Sequence, residues 1–313
     1  MRKVLVLDTV HPIFFEELNS LGFELVENYK DAADQIDWSL YQGLILRSRM
    51  PINATILARA QNLRFIARVG AGLENIDLEY AQTLGIEVMA APEGNRHAVG
   101  EHAIGMLLSL FNKILIADKE IRAGLWRREE NRGLELRGKT VGIIGFGQMG
   151  SAFAEKLQGF DCRILAYDKY KQDYAPTYVE EVSLEELKQE ADVLSIHLPQ
   201  NDETLYYVDD AFIESMAKDF FLINTARGKL VRISALDKAL KAQKIRGACL
   251  DVLEYEKASF ENLYNDELPQ EFKNILSSNR VILSPHVAGW SQESLKDLAT
   301  VLISKIKKHY GIA

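Results

Sequence analysis

Short apolar runs separated by amphipathic or charged segments make up almost the whole chain. The first part contains four such runs, KVLVLD, GLILRS, LRFIARVG and GIEVMA. Runs of this length bounded by turn residues predict strands, and the segments between them predict helices. Strands alternating with helices favour parallel sheets covered on both faces, so we predict an α/β fold.

A second series of apolar runs follows. It comprises KTVGIIGFG, RILAYD, ADVLSIHLP, FFLINTARG, IRGACLDV and RVILSPH. Between the two series, a stretch rich in Ala, Leu and Met predicts one bridging helix from about His97 to Trp126. The last segment, SQESLKDLATVLISKIKKHYG, has apolar positions at helical spacing. We expect this helix to return to the first domain.

Composition narrows the class of protein. The 313 residues are 47% hydrophobic, and 45 acidic against 37 basic side chains give a net charge of −8. No basic stripe stands out, so we expect no nucleic-acid partner. The apolar run in MRKVLVLDTV is too short for a signal peptide, and Asn112 and Lys113 interrupt the most apolar helical stretch. We therefore expect a cytoplasmic protein without a membrane partner, in which Cys162 and Cys249 stay reduced.

A glycine-rich loop follows the first strand of the second series. In VGIIGFGQMGSAFAEKL, Gly145, Gly147 and Gly150 form G-x-G-x-x-G between an apolar strand and a helical pattern. The first glycine permits a tight turn, the second lets backbone amides approach a pyrophosphate, and the third allows close packing of helix on strand. This context predicts a dinucleotide-binding site.

Asp168 ends the next strand, 18 residues after Gly150. A carboxylate at this position accepts hydrogen bonds from the adenosine ribose and repels a 2′-phosphate, so it favours NAD over NADP. Lys169 and Lys171 beside it leave NADP open. We place the NAD-binding domain at residues 98–286 and expect it to be inserted into a discontinuous substrate domain, residues 1–97 and 287–313. Both domains should be Rossmann-like or flavodoxin-like.

Three later segments contain the candidates for chemistry. Arg227 in LINTARGKLV follows a strand, where its planar guanidinium can hold a carboxylate, although a surface arginine fits as well. His286 lies on a rigid turn, SPHVAGW, and is either an acid–base catalyst or a structural histidine. The segment LDVLEYE supplies an acid to pair with it, but alternation over so short a run does not decide which acid points inward.

The ordered set GFGQMG, YD, NTARG, LDVLEYE and SPHVAGW, with VGAGLENIDLEYA upstream, resembles the D-isomer-specific 2-hydroxyacid dehydrogenases over essentially the whole chain. The resemblance implies that Arg227, Glu256 and His286 form the family's catalytic triad. The family's spacing selects Glu256 over Glu254, although Lys257 replaces the proline that normally follows. His286 would then exchange the hydroxyl proton, Glu256 would stabilise its protonated form, and Arg227 would hold the substrate carboxylate.

The resemblance also implies two sets of binding residues. The substrate would contact Arg47, Arg68, Gly70, Ala71, Gly72 and Arg227. NAD would contact Gly145, Gly147, Gln148, Met149, Gly150, Asp168, His197, Leu198, Pro199, Thr225, Ala226, Asp251, His286 and Gly289. Asp251 would contact the nicotinamide carboxamide, whereas His197 would contribute backbone and no catalysis. Trp290 either borders the substrate pocket or packs structurally.

Two features stand apart from these sets. Only His97 and Glu101 of the group His97, Glu101 and His102 share a helical face, and two ligands do not complete a metal site, so we predict no metal. The segment KASFENLYNDELPQEFKNILSSN, between Glu256 and His286, is longer than the family usually has. It forms either the edge of a lid or a surface insertion, and the second fits better.

The implied reaction is the interconversion of a small anionic D-2-hydroxy acid and its 2-keto acid. Arg47, Arg68 and GLENIDLEYA favour D-3-phosphoglycerate, the substrate of the first step of serine synthesis, in a short form without a C-terminal regulatory domain. Glyoxylate or hydroxypyruvate reduction and D-lactate oxidation remain open, as does an NADH-sensing role like that of the C-terminal-binding-protein corepressors. We expect a homodimer, in which Arg127 or Arg128 could reach the neighbour's pocket.

Overall fold

The computed structural model describes residues 2–256 and 268–312, which divide into two compact units. One unit contains the chain up to Asn95 and again from Trp290, and the other runs from Arg96 to Gly289. The sequence predicts the two boundaries of the NAD-binding domain after residues 97 and 286. Lys257 and the first part of the long segment after Glu256 lie outside the described residues.

The first unit is built on a parallel sheet of five strands. Its strands are β1 (Arg2–Val6), β2 (Phe23–Glu27), β3 (Gly43–Leu46), β4 (Phe65–Arg68) and β5 (Glu87–Ala90). Its helices are α1 (Ile13–Ser20), α2 (Ala54–Arg59), α3 (Leu78–Thr83) and the C-terminal α11 (Gln292–His309). The strand order β2-β1-β3-β4-β5 is that of flavodoxin-like folds. Sequence patterns missed β2, whose residues are mostly half-buried.

Apolar residues cover both faces of this sheet. Val4 and Val6 of β1 belong to one core cluster, while Leu5 and Leu7 belong to another on the opposite face. Helix α11 completes the first of these clusters, to which it contributes Leu302. Strands buried on both faces are nearly continuous in hydrophobicity, which is why KVLVLD shows no alternation.

The second unit contains a parallel sheet of seven strands. Its strands are β6 (Thr140–Ile144), β7 (Arg163–Tyr167), β8 (Glu180–Glu181), β9 (Val193–Ile196), β10 (Phe220–Asn224), β11 (Ile245–Leu250) and β12 (Val281–Leu283). The order is β12-β11-β10-β9-β6-β7-β8, so the direction of winding reverses between β6 and β9. Dinucleotides bind at such a reversal, beyond the carboxyl ends of the strands. The predicted α/β fold with parallel sheets is confirmed, and β8 is a short strand that the sequence pattern missed.

Among the described residues, seven α-helices flank the second sheet or lead into it. They are α4 (Pro92–Phe111), α5 (Ile114–Arg122), α6 (Gln148–Leu157), α7 (Leu184–Glu190), α8 (Asp210–Ser215), α9 (Ile233–Lys241) and α10 (Gln270–Ser277). Helix α10 shows that the described part of the long segment, from residue 268 onward, is not a surface insertion. Its Phe272 and Ile275 are buried in the core of the unit, and Asn274 donates a hydrogen bond to Asp237 of α9 at 3.1 Å.

The single bridging helix predicted from His97 to Trp126 is wrong. Two helices, α4 and α5, meet at an angle of 59°. Lys113 between them adopts a left-handed backbone conformation, φ 51°, which ends the first helix. Within the described ranges no single helix combines the length and apolar character needed to cross a membrane, and only this bent pair taken together meets both criteria.

Candidate active site

The glycine loop connects β6 to α6. Gly145 has φ +89°, a conformation that side chains rarely allow, and a Cβ on Gly150 would lie 2.1 Å from the carbonyl oxygen of Gly145. Gly147 faces open space and precedes α6, which has no side-chain cap at its N-terminus. Gln148 begins the helix and accepts a hydrogen bond from Arg96 at 3.0 Å, and Met149 follows it. The backbone N–H groups at this end of α6, which no side chain caps, suit an anion.

Asp168 lies directly after β7 and links two loops. Its Oδ2 accepts a hydrogen bond from the backbone N–H of Phe146, in the glycine loop, at 2.9 Å. Its Oδ1 accepts one from the backbone N–H of Tyr170 at 3.0 Å. Lys171 donates from Nζ to the carbonyl oxygen of Phe146 at 2.7 Å. The carboxylate therefore helps to hold the glycine loop in shape, in addition to any bond that it makes with a ribose.

His197 begins the loop after β9 and is followed by Leu198 and Pro199. Its Nε2 lies 2.8 Å from the hydroxyl of Ser195. Burial lowers its pKa to about 4, because the charged imidazolium loses its hydration there. The imidazole is therefore expected to be neutral at physiological pH, and its lack of a catalytic role remains a prediction.

The turn after β10 presents Thr225, Ala226 and Arg227. Asn224, fully buried, fixes the turn through its amide, which donates to the carbonyl oxygen of Arg227 at 2.9 Å and accepts from the N–H of Ala226 at 3.1 Å. The hydroxyl oxygen of Thr225 is buried and has no hydrogen-bond partner among the described residues. A buried polar atom without a partner in the protein is suited to a bound ligand.

Asp251 lies at the end of β11 and is 1% exposed. Its carboxylate accepts hydrogen bonds from the hydroxyl of Ser284 at 2.6 Å, from the N–H of Val287 at 2.9 Å and from the N–H of Ala288 at 2.8 Å. These bonds anchor the turn that contains His286 and ends at Gly289. The structure thus gives Asp251 a role in positioning, which the sequence interpretation, a contact to the nicotinamide, did not include.

His286 is held in a strained conformation. Its φ is 56°, and its backbone N–H donates to the carbonyl oxygen of Asp251 at 2.7 Å. Its Nδ1 lies 3.2 Å from Oε2 of Glu256, and the side chains of the pair are 24% and 19% exposed. A carboxylate at this distance from Nδ1 can fix the orientation of the imidazole ring.

Glu254 has a different partner. Its Oε2 accepts a hydrogen bond at 2.8 Å from the backbone N–H of Ile233, the first residue of α9. It caps a helix whose own N-cap residue, Arg232, offers no side-chain bond. Of the three acids that alternation leaves open, Asp251, Glu254 and Glu256, the structure brings the carboxylate of Glu256 to the ring of the histidine.

His102 is a residue whose place the sequence did not indicate. It had been considered only as a metal ligand, with His97 and Glu101. In the structure its Nε2 lies 2.9 Å from the hydroxyl of Ser284, beside Asp251. No local pattern connects residues 182 positions apart, so only the fold could show this contact. No group of three or more His, Cys, Asp or Glu side chains arranged for a metal ion occurs in the part of the chain that the structure describes.

The predicted substrate residues of the first unit follow two adjacent strands. Arg47 comes directly after β3, and Arg68 is the last residue of β4, paired in register with Leu46. The guanidinium of Arg47 lies 3.6 Å from the ring centroid of Trp290, a cation–π contact, and burial lowers its pKa. One guanidinium nitrogen of Arg68 occupies the space that a Cβ on Gly70 would need. Ala71 and Gly72 continue this half-buried loop.

The second unit as a whole fits a dinucleotide. A loop that requires glycine at positions 145 and 150, an uncapped helix N-terminus and the buried Thr225 hydroxyl lie at the carboxyl edge of one sheet. The remaining requirement is an acid beyond the second strand, which Asp168 supplies. These residues would hold the pyrophosphate and the ribose.

Comparisons with known proteins agree with this reading of the site. Residues 104–288 match the family model described as the D-isomer specific 2-hydroxyacid dehydrogenase, NAD binding domain. D-3-phosphoglycerate dehydrogenase of Archaeoglobus fulgidus is 31% identical over 97% of this chain and 56% of its own length. Hydroxypyruvate reductase of Thermotoga maritima is 34% identical over 86% of this chain and 85% of its own length.

A solved structure gives a similar result. The apo structure of D-lactate dehydrogenase from Escherichia coli superimposes with a TM-score of 0.79 and 28% identity, over 100% of this chain and 98% of that chain. The chain spans a little over half the length of the A. fulgidus relative. The family match confirms the predicted NAD-binding domain, and the names of these relatives cover three different substrates.

Proposed function

We propose that this chain, which belongs to the D-isomer-specific 2-hydroxyacid dehydrogenases, is an NAD-dependent enzyme that interconverts a D-2-hydroxy acid and its 2-keto acid. The observation that carries the proposal is the pair formed by His286 and Glu256, 3.2 Å apart on a turn whose backbone is strained. Strain of this kind persists where the surrounding structure enforces it, and it is concentrated at functional sites.

The roles of the residues follow from their chemistry. His286 takes the hydroxyl proton during oxidation and returns it during reduction, through Nε2. Glu256 stabilises the imidazolium that forms, and Arg227 binds the substrate carboxylate through its planar guanidinium. NAD, when bound, accepts or supplies the hydride at the nicotinamide ring. Asp251 keeps the turn of His286 in place through its three hydrogen bonds.

For the substrate we propose D-3-phosphoglycerate. Arg47 follows β3 and Arg68 ends the neighbouring strand β4, so two guanidinium groups could contact an anion with more than one negative group. The stack on Trp290 fixes the plane of the Arg47 guanidinium. Hydroxypyruvate and D-lactate carry one carboxylate and use only part of this charge. The reaction would then serve serine synthesis.

Two further features belong to the proposal. Cys162 and Cys249 form no disulfide, which supports a cytoplasmic location. Helix α5 buries none of its residues, and Leu115, Ile121 and Trp126 are 56%, 52% and 79% exposed. Apolar side chains grouped in this way mark an interface, and we propose that a second copy of the chain covers them in a homodimer. Arg127 is bound to Glu120 at 3.3 Å, which leaves Arg128 as the arginine to reach a neighbour.

A substrate panel tests the proposed function. D-3-phosphoglycerate, D-glycerate and D-lactate are supplied with NAD, and hydroxypyruvate and glyoxylate with NADH, while absorbance at the nicotinamide band is followed. We expect the highest kcat/KM with D-3-phosphoglycerate. A higher kcat/KM with another acid would identify that acid as the substrate instead. Tight NADH binding without turnover of any acid would favour an NADH-sensing role.

The variant His286→Asn tests the role of the histidine. Loss of the acid–base group should lower kcat by about 10³-fold or more, while the NADH dissociation constant changes less than about twofold. Fluorescence titration with NADH measures the second quantity. Equal losses of binding and turnover would contradict the assignment.

A further inference from the structure

We propose that Glu203 is a residue that determines cofactor specificity: by holding Lys169 and Tyr170 it withholds an exposed cation next to Asp168 from a 2′-phosphate and so disfavours NADP. This inference rests on the proposed dinucleotide site and concerns its selectivity. In the sequence, Asp168 is the residue that favours NAD, whereas Lys169 and Lys171 close to it leave NADP open.

The structure gives both lysines partners. Nζ of Lys171 donates to the carbonyl oxygen of Phe146 at 2.7 Å, inside the glycine loop. Nζ of Lys169 forms an ion pair with Oε1 of Glu203, and the hydroxyl of Tyr170 donates to Oε2 of the same carboxylate. One acid therefore holds two consecutive residues of the segment that follows Asp168.

The contact joins two loops whose strands lie on either side of β6. Lys169 and Tyr170 follow β7, and Glu203 lies in the loop after β9. Strand β6, which leads into the glycine loop, lies between β7 and β9. The contact therefore joins the two loops that flank the dinucleotide site, at the end where Asp168 would meet the adenosine ribose.

The loop that contains Glu203 is itself well fixed. The amide side chain of Asn201 and the hydroxyl of Thr204 exchange hydrogen bonds with each other's backbone, both at 3.0 Å. The Thr204 hydroxyl also donates to the carbonyl oxygen of Pro199 at 2.6 Å. Glu203 is thus presented from a closed turn, so little further backbone entropy is lost when its side chain binds Lys169.

Charge explains the selectivity. The hydrogen bonds from Lys169 and Tyr170 lower the pKa of Glu203, so the acid remains ionised wherever the enzyme works. A 2′-phosphate close to Asp168 would meet two carboxylates, while the ammonium groups of Lys169 and Lys171 are already bound to Glu203 and to Phe146. Replacing Glu203 by a neutral residue would remove one repulsive charge and release Lys169 toward the phosphate. Lys169 and Glu203 are 57% and 41% exposed, so the expected effect is modest.

The experiment compares two substitutions in the same loop. Glu203→Gln removes the charge that holds Lys169, and Asp202→Asn removes an equal charge from the neighbouring residue, which forms no ion pair within the described ranges. Dissociation constants for NADH and NADPH are measured by fluorescence titration, without any substrate. We expect Glu203→Gln to bind NADPH about fivefold more tightly, with NADH affinity changed less than about twofold.

A second substitution tests whether Lys169 mediates the effect. In the Lys169→Gln background, Glu203→Gln should improve NADPH binding by less than about twofold, because no ammonium group is released. The inference would be overturned if Glu203→Gln left the NADPH affinity unchanged, or if Asp202→Asn raised it equally. Normal NADH binding in these variants would still support the dinucleotide site. Failure of the unaltered protein to bind NADH would overturn the proposed function as well.

Discussion

At the scale of single residues, the site depends on two glutamates that lie two positions apart and do different work. Glu256 faces His286, whereas Glu254 caps α9 from a distant loop. The chain departs here from a regular strand, so alternation along the sequence could not assign the two side chains. The family's spacing selected Glu256, and the structure places that acid beside the histidine.

A pair of conservative substitutions separates these roles. Glu256→Gln should lower kcat about tenfold to a hundredfold, because the imidazolium loses its stabilising charge. Glu254→Gln should leave kcat nearly unchanged and lower the free energy of unfolding by about 1 kcal/mol, because the bond to the Ile233 N–H weakens. Steady-state kinetics and urea unfolding measure the two quantities. A drop in kcat with Glu254→Gln as large as that with Glu256→Gln would exchange the assignments.

At the scale of secondary structure elements, the glycine loop could be predicted from the sequence alone. Its spacing between a strand and a helix requires close backbone contacts, and Gly145 and Gly150 make that contact. The junction of α4 and α5 could not be predicted from the sequence, since apolar residues continue on both sides of it. A left-handed residue, Lys113, ends the helix there, and no glycine or proline signals it.

A substitution in the loop tests its contribution. Gly150→Ala would place a Cβ 2.1 Å from the Gly145 carbonyl oxygen, so β6 and α6 would have to separate. We expect NADH affinity to fall at least about tenfold and thermal stability to decrease. Gly159→Ala is the control, because a Cβ there meets no atom within 4 Å. Similar NADH affinities in the two variants would show that the close packing at Gly150 is unimportant for binding.

At the scale of the whole molecule, α5 and the following loop expose an apolar surface that the single chain leaves uncovered. If two copies cover it, Leu115→Glu with Ile121→Glu should convert a dimer to a monomer in light scattering, because two charges enter the contact. Leu40→Glu, at a position 54% exposed in the first unit, is the matched control. A dimer that withstands both changes would place the interface elsewhere.

The pH dependence of stability is another property of the folded molecule. Because the pKa of His197 falls from 6.5 to about 4 on folding, the unfolded chain binds the proton more readily. The contribution of this residue is complete above pH 6.5 and is lost as the pH falls toward 4, by up to about 3 kcal/mol. His197→Phe should flatten the dependence of the free energy of unfolding over this window. Chemical unfolding at a series of pH values measures it, and parallel curves for both proteins would contradict the assignment.

The sequence by itself determined the parallel α/β architecture, the glycine loop and the acid at Asp168, because each depends on residues close together in the chain. Hydrophobic periodicity and turn residues act locally, and they remain readable without coordinates. The tertiary structure decided which glutamate meets His286, that Asp251 and His102 gather around Ser284, and that Glu203 holds Lys169. Those contacts join residues tens of positions apart or more, and only the packing of the parallel strands, with α4 against them, brings these residues together.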